Sequence, residues 1–323
     1  MINFPFYNYN SGTELISNSV LIHTENAVFT DDGRYFVAGK QSNSDLNWGI
    51  YEVVKTSSSY DIKQIVPGIL KVDSNSYDCW FHGLTTDGKY LYATSAVHLE
   101  GDPQKTDYGA LFRILPHQDT ANVSIAHYNH NELRGYNGMA VGANEAIYMS
   151  NSSALRDSSK VAVYKVEIID HDDFVIKITP WLSADLLRDI APNGIQIQNS
   201  MMYYVSGKGL YKLQITPSGP GIPIPMYVTM IFNNILDDLA ILSDDRIAVA
   251  EIDFISAMNG FPGIGINQII IVDTKNFSLN NKVIVTSPYT VSSLAEGKGN
   301  LFTNGNLIAT SWFQGGVREF AIR

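Results

Sequence analysis

Apolar and polar residues alternate with period two along short stretches of this chain, as at Ile195 and Ile197 and then Tyr203 and Val205, and β-branched and aromatic residues dominate those stretches. That pattern predicts strands rather than helices; only residues 183–190 read as helical. The stretches come in similar pairs. A polar residue followed by a small or apolar one opens the first member, a turn such as Asp31-Asp32-Gly33 or Asp87-Gly88 follows, and a second stretch rich in Tyr, Val and Ala completes it. Clear copies open at Glu25, His82, Asn137, Asn193 and Asp238, and a looser one opens at Ser293. The openers recur about every 55 residues, with one shorter step before Asp238, and each interval has room for about four strands. The outer pair is illustrated by residues 49–54 and 61–66.

Such a period predicts an all-β chain folded as a six-bladed β-propeller with four-stranded blades, one domain over residues 1–323. The sixth copy ends at residues 316–323, one strand short. A strand from residues 11–23 is therefore expected to complete the last blade, which would leave no open edge.

Charge narrows the partners. The 323 residues include 32 acidic and 22 basic side chains, a net charge of −10, which argues against nucleic acid or an anionic membrane and suits a cation. Hydrophobic residues at 45% and charged residues at 17% provide material for a large core. The opening residues show neither a signal peptide nor a transit peptide, no run reaches the roughly 20 apolar residues of a membrane span, and a cytoplasmic location is the default expectation. Cys79 is the only cysteine, which excludes an internal disulfide and a CxxC metal site; it reads as a buried thiol.

In a propeller the innermost strand of each blade runs along the central channel, so residues at the same place in each repeat meet around the axis. The openers Glu25, His82, Asn137, Asn193 and Asp238, with Asp237 beside the last, are all polar. Two carboxylates and two carboxamides form an all-oxygen set that suits a hard divalent cation, Ca²⁺ above all, with Mn²⁺ or Mg²⁺ as alternatives. Zn²⁺ is the poorer fit because it prefers His or Cys. A plainer reading stands beside this one: Asn-Gly is a common hairpin turn, and an acid near a strand start is often only a solvated loop residue. Asn193, however, follows Ile-Ala-Pro and precedes Ile-Gln-Ile, which places it at the beginning of a strand.

On these residues the chain resembles the six-bladed calcium-dependent propellers that include the gluconolactonase and regucalcin group, diisopropylfluorophosphatase and the paraoxonases. The resemblance spans all six repeats and is carried by the inner strands. It implies that Glu25, Asn137, Asn193 and Asp238 bind the ion, that Asp237-Asp238 matches an adjacent acid and amide pair, and that His82 in Phe81-His82-Gly83-Leu84 lies over the ion. Two motifs depart from the family pattern: the usual Glu-Gly-Pro is Glu25-Asn26-Ala27, and the Asp-Gly typical of lactonases is Asp238-Leu239. A second His of the paraoxonase kind would fall near Ala96, with His98 two places beyond.

The resemblance implies a metal-dependent hydrolase of a lactone, ester or organophosphate-like small molecule, with Asp238 or Glu25 as general base or nucleophile and His82 as proton carrier. Alternative roles are a binding or scaffold propeller tied together by its ion, and a non-hydrolytic biosynthetic enzyme resembling strictosidine synthase. For His82 itself the alternative is a channel histidine bonded to backbone. Trp80, Tyr136, Trp312 and Phe313 are candidates to wall a pocket above the ion. His127 and His130 form the closest His pair and are expected on a surface loop, outside the chemistry. Oligomeric state is not legible in the sequence.

Overall fold

The computed structural model describes residues 6–42, 48–72, 75–99, 107–118, 120–128, 137–151, 160–184, 192–274 and 283–322. They form six small antiparallel sheets arranged as a six-bladed β-propeller. Blade one pairs Leu21–Ile22 and Ala27–Phe29, two pieces of one inner strand, with Tyr35–Gln41, followed by Trp48–Lys55 and Tyr60–Pro67. Blade two runs outward from Asn75–Thr86 through Leu91–Leu99 and Asp107–Pro116 to Ala121–Tyr128, and Ile69–Val72 extends its inner strand as a hairpin. Blade three is Met139–Val141, Ile147–Ser150, Val161–Asp170 and Val175–Ser183. Blade four is Pro192–Gln198, Met201–Ser206 and Gly209–Thr216, with its outer position shared by Gly219–Pro220 and Ile224–Val228. Blade five is Asn234–Ile241, Arg246–Asp253, Gln268–Asp273 and Val283–Thr286. Blade six begins with Ser293–Glu296, Leu307–Thr310 and Val317–Phe320.

The turns have the chemistry their sequences announce. Gly33 and Gly88 take φ of 82° and 97°, which only glycine adopts freely, and Asp87 Oδ1 accepts from the backbone N–H groups of Lys89 and Tyr90 at 2.9 and 2.7 Å.

Apolar side chains leave both faces of each sheet, so every blade must be covered twice. Among the described residues the buried hydrophobics accordingly fall into six clusters, one between each pair of neighbouring blades. Phe36 and Ile50 of blade one meet Phe81 and Phe112 of blade two, Leu111 meets Met149, Tyr148 meets Tyr204, Val205 meets Val249, Ile271 meets Leu307, and Ile308 meets Val37. Cys79 belongs to the first cluster; it is fully buried, and burial pushes its thiol up to about 12.

Closure occurs as the sequence predicts. Thr13–Ile16 pairs antiparallel with Val317–Phe320 and completes blade six. A second clasp was not anticipated: Phe6–Tyr9 adds to the outer edge of blade five, parallel to Val283–Thr286. The expected helix at 183–190 lies almost wholly outside the described residues, and Ser183 itself ends a strand. The one α-helix among the described residues is Phe254–Met258, capped by Asp253, whose side chain accepts from Ser256 N. His127 lies in the strand Ala121–Tyr128 and not in a loop; His130 lies outside the described residues.

Ile16, 3% exposed, plugs the cluster between blades six and one from the closing strand. Ile16→Ala is expected to cost about 2–5 kcal/mol, read as a lower urea midpoint with an unchanged denaturant slope.

Candidate functional site

His82, Asn193, Asp237, Asp238 and Glu25 each stand where the ladder between an inner strand and its neighbour skips a residue. In blade two Phe81 pairs with Ser95 but Leu84 with Ala93, in blade four Pro192 pairs with Ser206 but Ile195 with Tyr204, and in blade five Leu236 pairs with Glu251 but Leu239 with Val249. Two residues therefore oppose one: His82-Gly83 against Thr94, Asn193-Gly194 against Val205, Asp237-Asp238 against Ala250. In blade one, Glu25 N donates to Ala38 O and Ala38 N to Asn26 O, which sets Glu25-Asn26 against Ala38 alone. Bulges of this kind re-aim side chains, and here they turn the openers into the channel. Hydroxyls hold the glycines that follow two of the openers: Gly83 N donates to Thr94 Oγ1 at 3.0 Å and Gly138 N to Ser150 Oγ at 2.8 Å.

The Asn-Gly pairs are not hairpin turns. Gly138 and Gly194 are absent from the residues of positive φ; their lack of a side chain serves close approach instead. A Cβ on Gly138 would lie 1.8 Å from Asn193 O, and one on Gly194 would lie 2.2 Å from Asp238 Oδ1. The same contacts fix the register around the ring. Asp238 takes in blade five the place Gly194 takes in blade four, so Asp237, and not Asp238, is the counterpart of Asn193. Ser292 is the counterpart in blade six.

Glu25, Asn137, Asn193, Asp237, Asp238 and Ser292 line one small, tight cavity, together with Asn26 and Gly194. Asn193 Nδ2 donates to Asp237 Oδ1, Leu294 N donates to Asp238 Oδ2 at 3.0 Å, and Asn137 hydrogen-bonds Glu25. Glu25 keeps part of its surface open to the channel, whereas Asp237 and Asp238 are 7% exposed. Burial raises all three carboxyls: Glu25 to about 7, with the bond from Asn137 opposing and Asp238 reinforcing the shift; Asp238 to about 6, opposed by the Leu294 N–H; and Asp237 well above its ordinary value, with Glu25 and Asp238 adding to the effect. No basic side chain contributes to any of the three shifts.

This donor set fits a hard cation, which would replace the missing positive charge. Ion ligation would require the amide of Asn193 to turn its oxygen inward, since its nitrogen now faces Asp237. The carboxamides are essential to that fit: among the described residues no three His, Cys, Asp or Glu side chains are grouped so as to hold a metal by themselves.

His82 borders the site rather than lining the cavity, and burial lowers the pKa of its imidazole. Its ring packs on Trp312 at 5.9 Å, in a group that also contains His23, Trp48 and Trp80. Two of the four expected wall aromatics, Trp80 and Trp312, are therefore together. Phe313 instead packs on Phe254 of the helix, and Tyr136 lies outside the described residues. Ala96 stands directly across from Trp80, so that position carries no second His; the side chain of His98 lies outside the described residues.

Sequence reading misses Asn26. In blade one it occupies the place of Gly83, Gly138 and Gly194, and its Nδ2 donates to His82 O at 2.8 Å and Asn137 O at 3.0 Å, tying three blades together below the cavity. The signal was the departure from Glu-Gly-Pro at this point. His23 was also missed: φ of 50°, a conformation costing about 1–2 kcal/mol, turns it beside Trp312, whose carbonyl lies 3.2 Å from Nδ1.

No family model matches the sequence, and no curated protein does. Among solved structures the chain is similar to a luciferin-regenerating enzyme, with a TM-score of 0.61 and 14% identity over 96% of this chain and 95% of that one. It is also similar to a glucose dehydrogenase, TM-score 0.58 and 8% identity over 97% of this chain and 100% of that one. A gluconolactonase of Xanthomonas campestris matches with TM-score 0.55 and 12% identity over 95% of this chain and 88% of that one. At such identities the likeness establishes the shared propeller fold. The fold and the site together define a six-bladed propeller with an acidic, carboxamide-rich ring at one end of its channel.

Two outcomes follow from this geometry. Because Glu25 and Asp238 are raised, the folded chain holds protons that the unfolded chain releases, so their contribution to stability is complete below about pH 4 and is lost as pH climbs through about 6 to 7. In chelator, thermal unfolding of the wild type should therefore fall between pH 5 and 8 relative to Asp238→Asn. Asn26→Gly, which removes two half-buried hydrogen bonds, should lower stability by about 1–3 kcal/mol in urea unfolding.

Proposed function

We propose that this propeller is a divalent-cation-dependent hydrolase of a small lactone, ester or organophosphate-like substrate, acting at the channel mouth. The observation that supports it is the convergence of three carboxylates, from blades one and five, with carboxamides from blades three and four and, among the described residues, no basic side chain to balance them. Glu25, Asn137, Asn193, Asp237 and Asp238 would hold the ion. Ca²⁺ suits this oxygen set best, Mn²⁺ and Mg²⁺ can use it, and Zn²⁺ is served poorly. Bound there, such an ion supplies Lewis acidity toward a carbonyl or phosphoryl oxygen.

The chain's own groups account for the rest. His82, kept neutral by burial, is ready to accept a proton at the mouth. Glu25 or Asp238 would serve as general base or nucleophile beside the ion. The indoles beside His82 give the reacting end of a substrate a wall that excludes water.

A second reading, an ion that only ties the blades together, draws support from the closeness of the ring, whose carboxylates and carboxamides bond one another across the cavity. Elemental analysis of the purified protein, combined with a panel of lactones, aryl esters and organophosphates with and without chelator, separates the two. Hydrolysis should fall at least tenfold on chelation and return with Ca²⁺, and Glu25→Gln should lower ion content and turnover together. His82→Gln should lower kcat about 100-fold with ion content unchanged. Bound ion without hydrolysis supports the scaffold role, and hydrolysis unchanged after verified removal of the ion refutes the proposal.

A further inference from the structure

Among the described residues the two most exposed large hydrophobic side chains are Met230 and Phe232, at 91% and 88%. Both stand on the crossing from blade four to blade five. Beside it lies the segment that joins the second and third strands of blade five, where Met258, Phe261 and Ile264 are 60–64% exposed and Ile266 is half exposed. Asn234 and Asp253, at which these two segments join the sheet, are cross-strand partners, so both segments emerge at the end of blade five that carries Asp237. The helix in the second segment reaches toward the channel: Phe254 packs on Phe313, whose neighbour Trp312 packs on His82. Single exposed hydrophobics are ordinary, but a group of them on adjoining loops marks a surface that something covers.

Three features say what covers it. Charge is absent, since residues 213–236 and 254–272 contain no Asp, Glu, Lys, Arg or His. Lys208, at the foot of the first loop, is turned inward, and its Nζ donates to Ile231 O and Phe232 O, both at 2.7 Å. The loop backbones are also satisfied from within: Ile231 N donates to Thr229 Oγ1 at 3.2 Å, Asn234 Nδ2 to Ile266 O at 2.8 Å, and Gly263 N to Thr290 Oγ1 at 3.2 Å. Hydrocarbon offers no water to a backbone group, so a segment that enters it needs such internal partners. Finally, side chains as exposed as Met230 and Phe232 stand clear of the surface as separate prongs. A protein partner would need a fitted pocket for each prong and hydrogen-bonding groups around it, whereas fluid lipid fills the spaces between prongs without a matched shape.

We propose that these loops dock the propeller, channel mouth first, on the surface of a zwitterionic lipid bilayer, with Met230, Phe232, Phe261 and Ile264 buried among the upper acyl chains. The net charge of −10 opposes anionic lipid, so burial of apolar surface carries the contact. Docking depends neither on an ion in the acidic ring nor on hydrolysis.

The test uses the intact protein with chelator present and vesicles of phosphatidylcholine, read by flotation. The wild type should float with them, and no better with vesicles of equal parts phosphatidylcholine and phosphatidylserine. Met230→Ser combined with Phe232→Ser should weaken binding by at least about tenfold, and so should Phe261→Ser combined with Ile264→Ser. Ile169→Ser, a change to a side chain 63% exposed on blade three, should leave binding as it is. In Phe232→Trp the added fluorescence should be quenched by brominated phosphatidylcholine, and in Ile169→Trp it should not. All these side chains face solvent, which favours folding of the variants, and unfolding midpoints check it. Absence of binding to phosphatidylcholine, binding confined to phosphatidylserine, or indifference to both double changes overturns the proposal. Sedimentation tests the other occupant: a wild-type dimer that Met230→Ser with Phe232→Ser splits into monomers assigns the patch to a second copy and equally overturns it. Vesicle binding without any ester or lactone hydrolysis would support docking and count against the hydrolase reading, and chelator-sensitive hydrolysis without vesicle binding would do the reverse.

Discussion

Face-to-face packing between neighbouring blades is the constraint on which this structure depends. Each sheet is apolar on both faces, so no blade is stable without one on either side, and the only arrangement that covers all of them is a closed ring. Clusters such as the one joining Tyr148 to Tyr204 fix the spacing of the blades, and that spacing brings the inner strands to the axis. Polar openers are excluded from the clusters and have only the channel to face. The acidic ring is thus a consequence of where the apolar residues go.

The bulges convert that placement into a site. A regular strand would send Asp237 and Asp238 to opposite faces, one of them into a core. With two residues set against Ala250 alone, both carboxyls line the same cavity, and Gly194 makes room for the second. The cost is visible in the raised carboxyls, which are crowded, buried and, among the described residues, without a basic partner. Asn26 works against the resulting looseness by holding the carbonyls of His82 and Asn137 from the opposite side.

Much of this was legible in the sequence because the repeat is carried by backbone demands. The period, the turn glycines and the alternation announced six blades, and the missing last strand announced closure by Thr13–Ile16. Placement of Glu25, Asn137 and Asn193 in one cavity with the two aspartates was equally readable, since equivalent positions in a ring must meet. Which aspartate stands level with Asn193 was not, because a bulge shifts register by one residue without leaving a mark in the hydrophobic pattern. Trp48 escaped notice because it begins a third strand, far in sequence from any opener, and reaches the mouth only through the packing of blade one on blade two. The helix Phe254–Met258 was hidden for a local reason: Phe-Ile-Ser-Ala-Met is too short for helical periodicity and rich in strand formers.

Closure by the strand Thr13–Ile16 has a consequence for how the protein comes into being. Contacts such as Glu14 with Arg318 join residues 304 positions apart, so blade six is incomplete until its final strand has been synthesised. Loop closure over that distance makes the last step of assembly slow compared with the folding of any single blade. Until then blade one lacks the neighbour that covers one of its faces, and the inner strands that carry Glu25 and Asp237 have no fixed separation. A chain whose circle is not yet joined therefore displays greasy, half-covered blades, and the acidic pocket becomes organised only when the circle is joined.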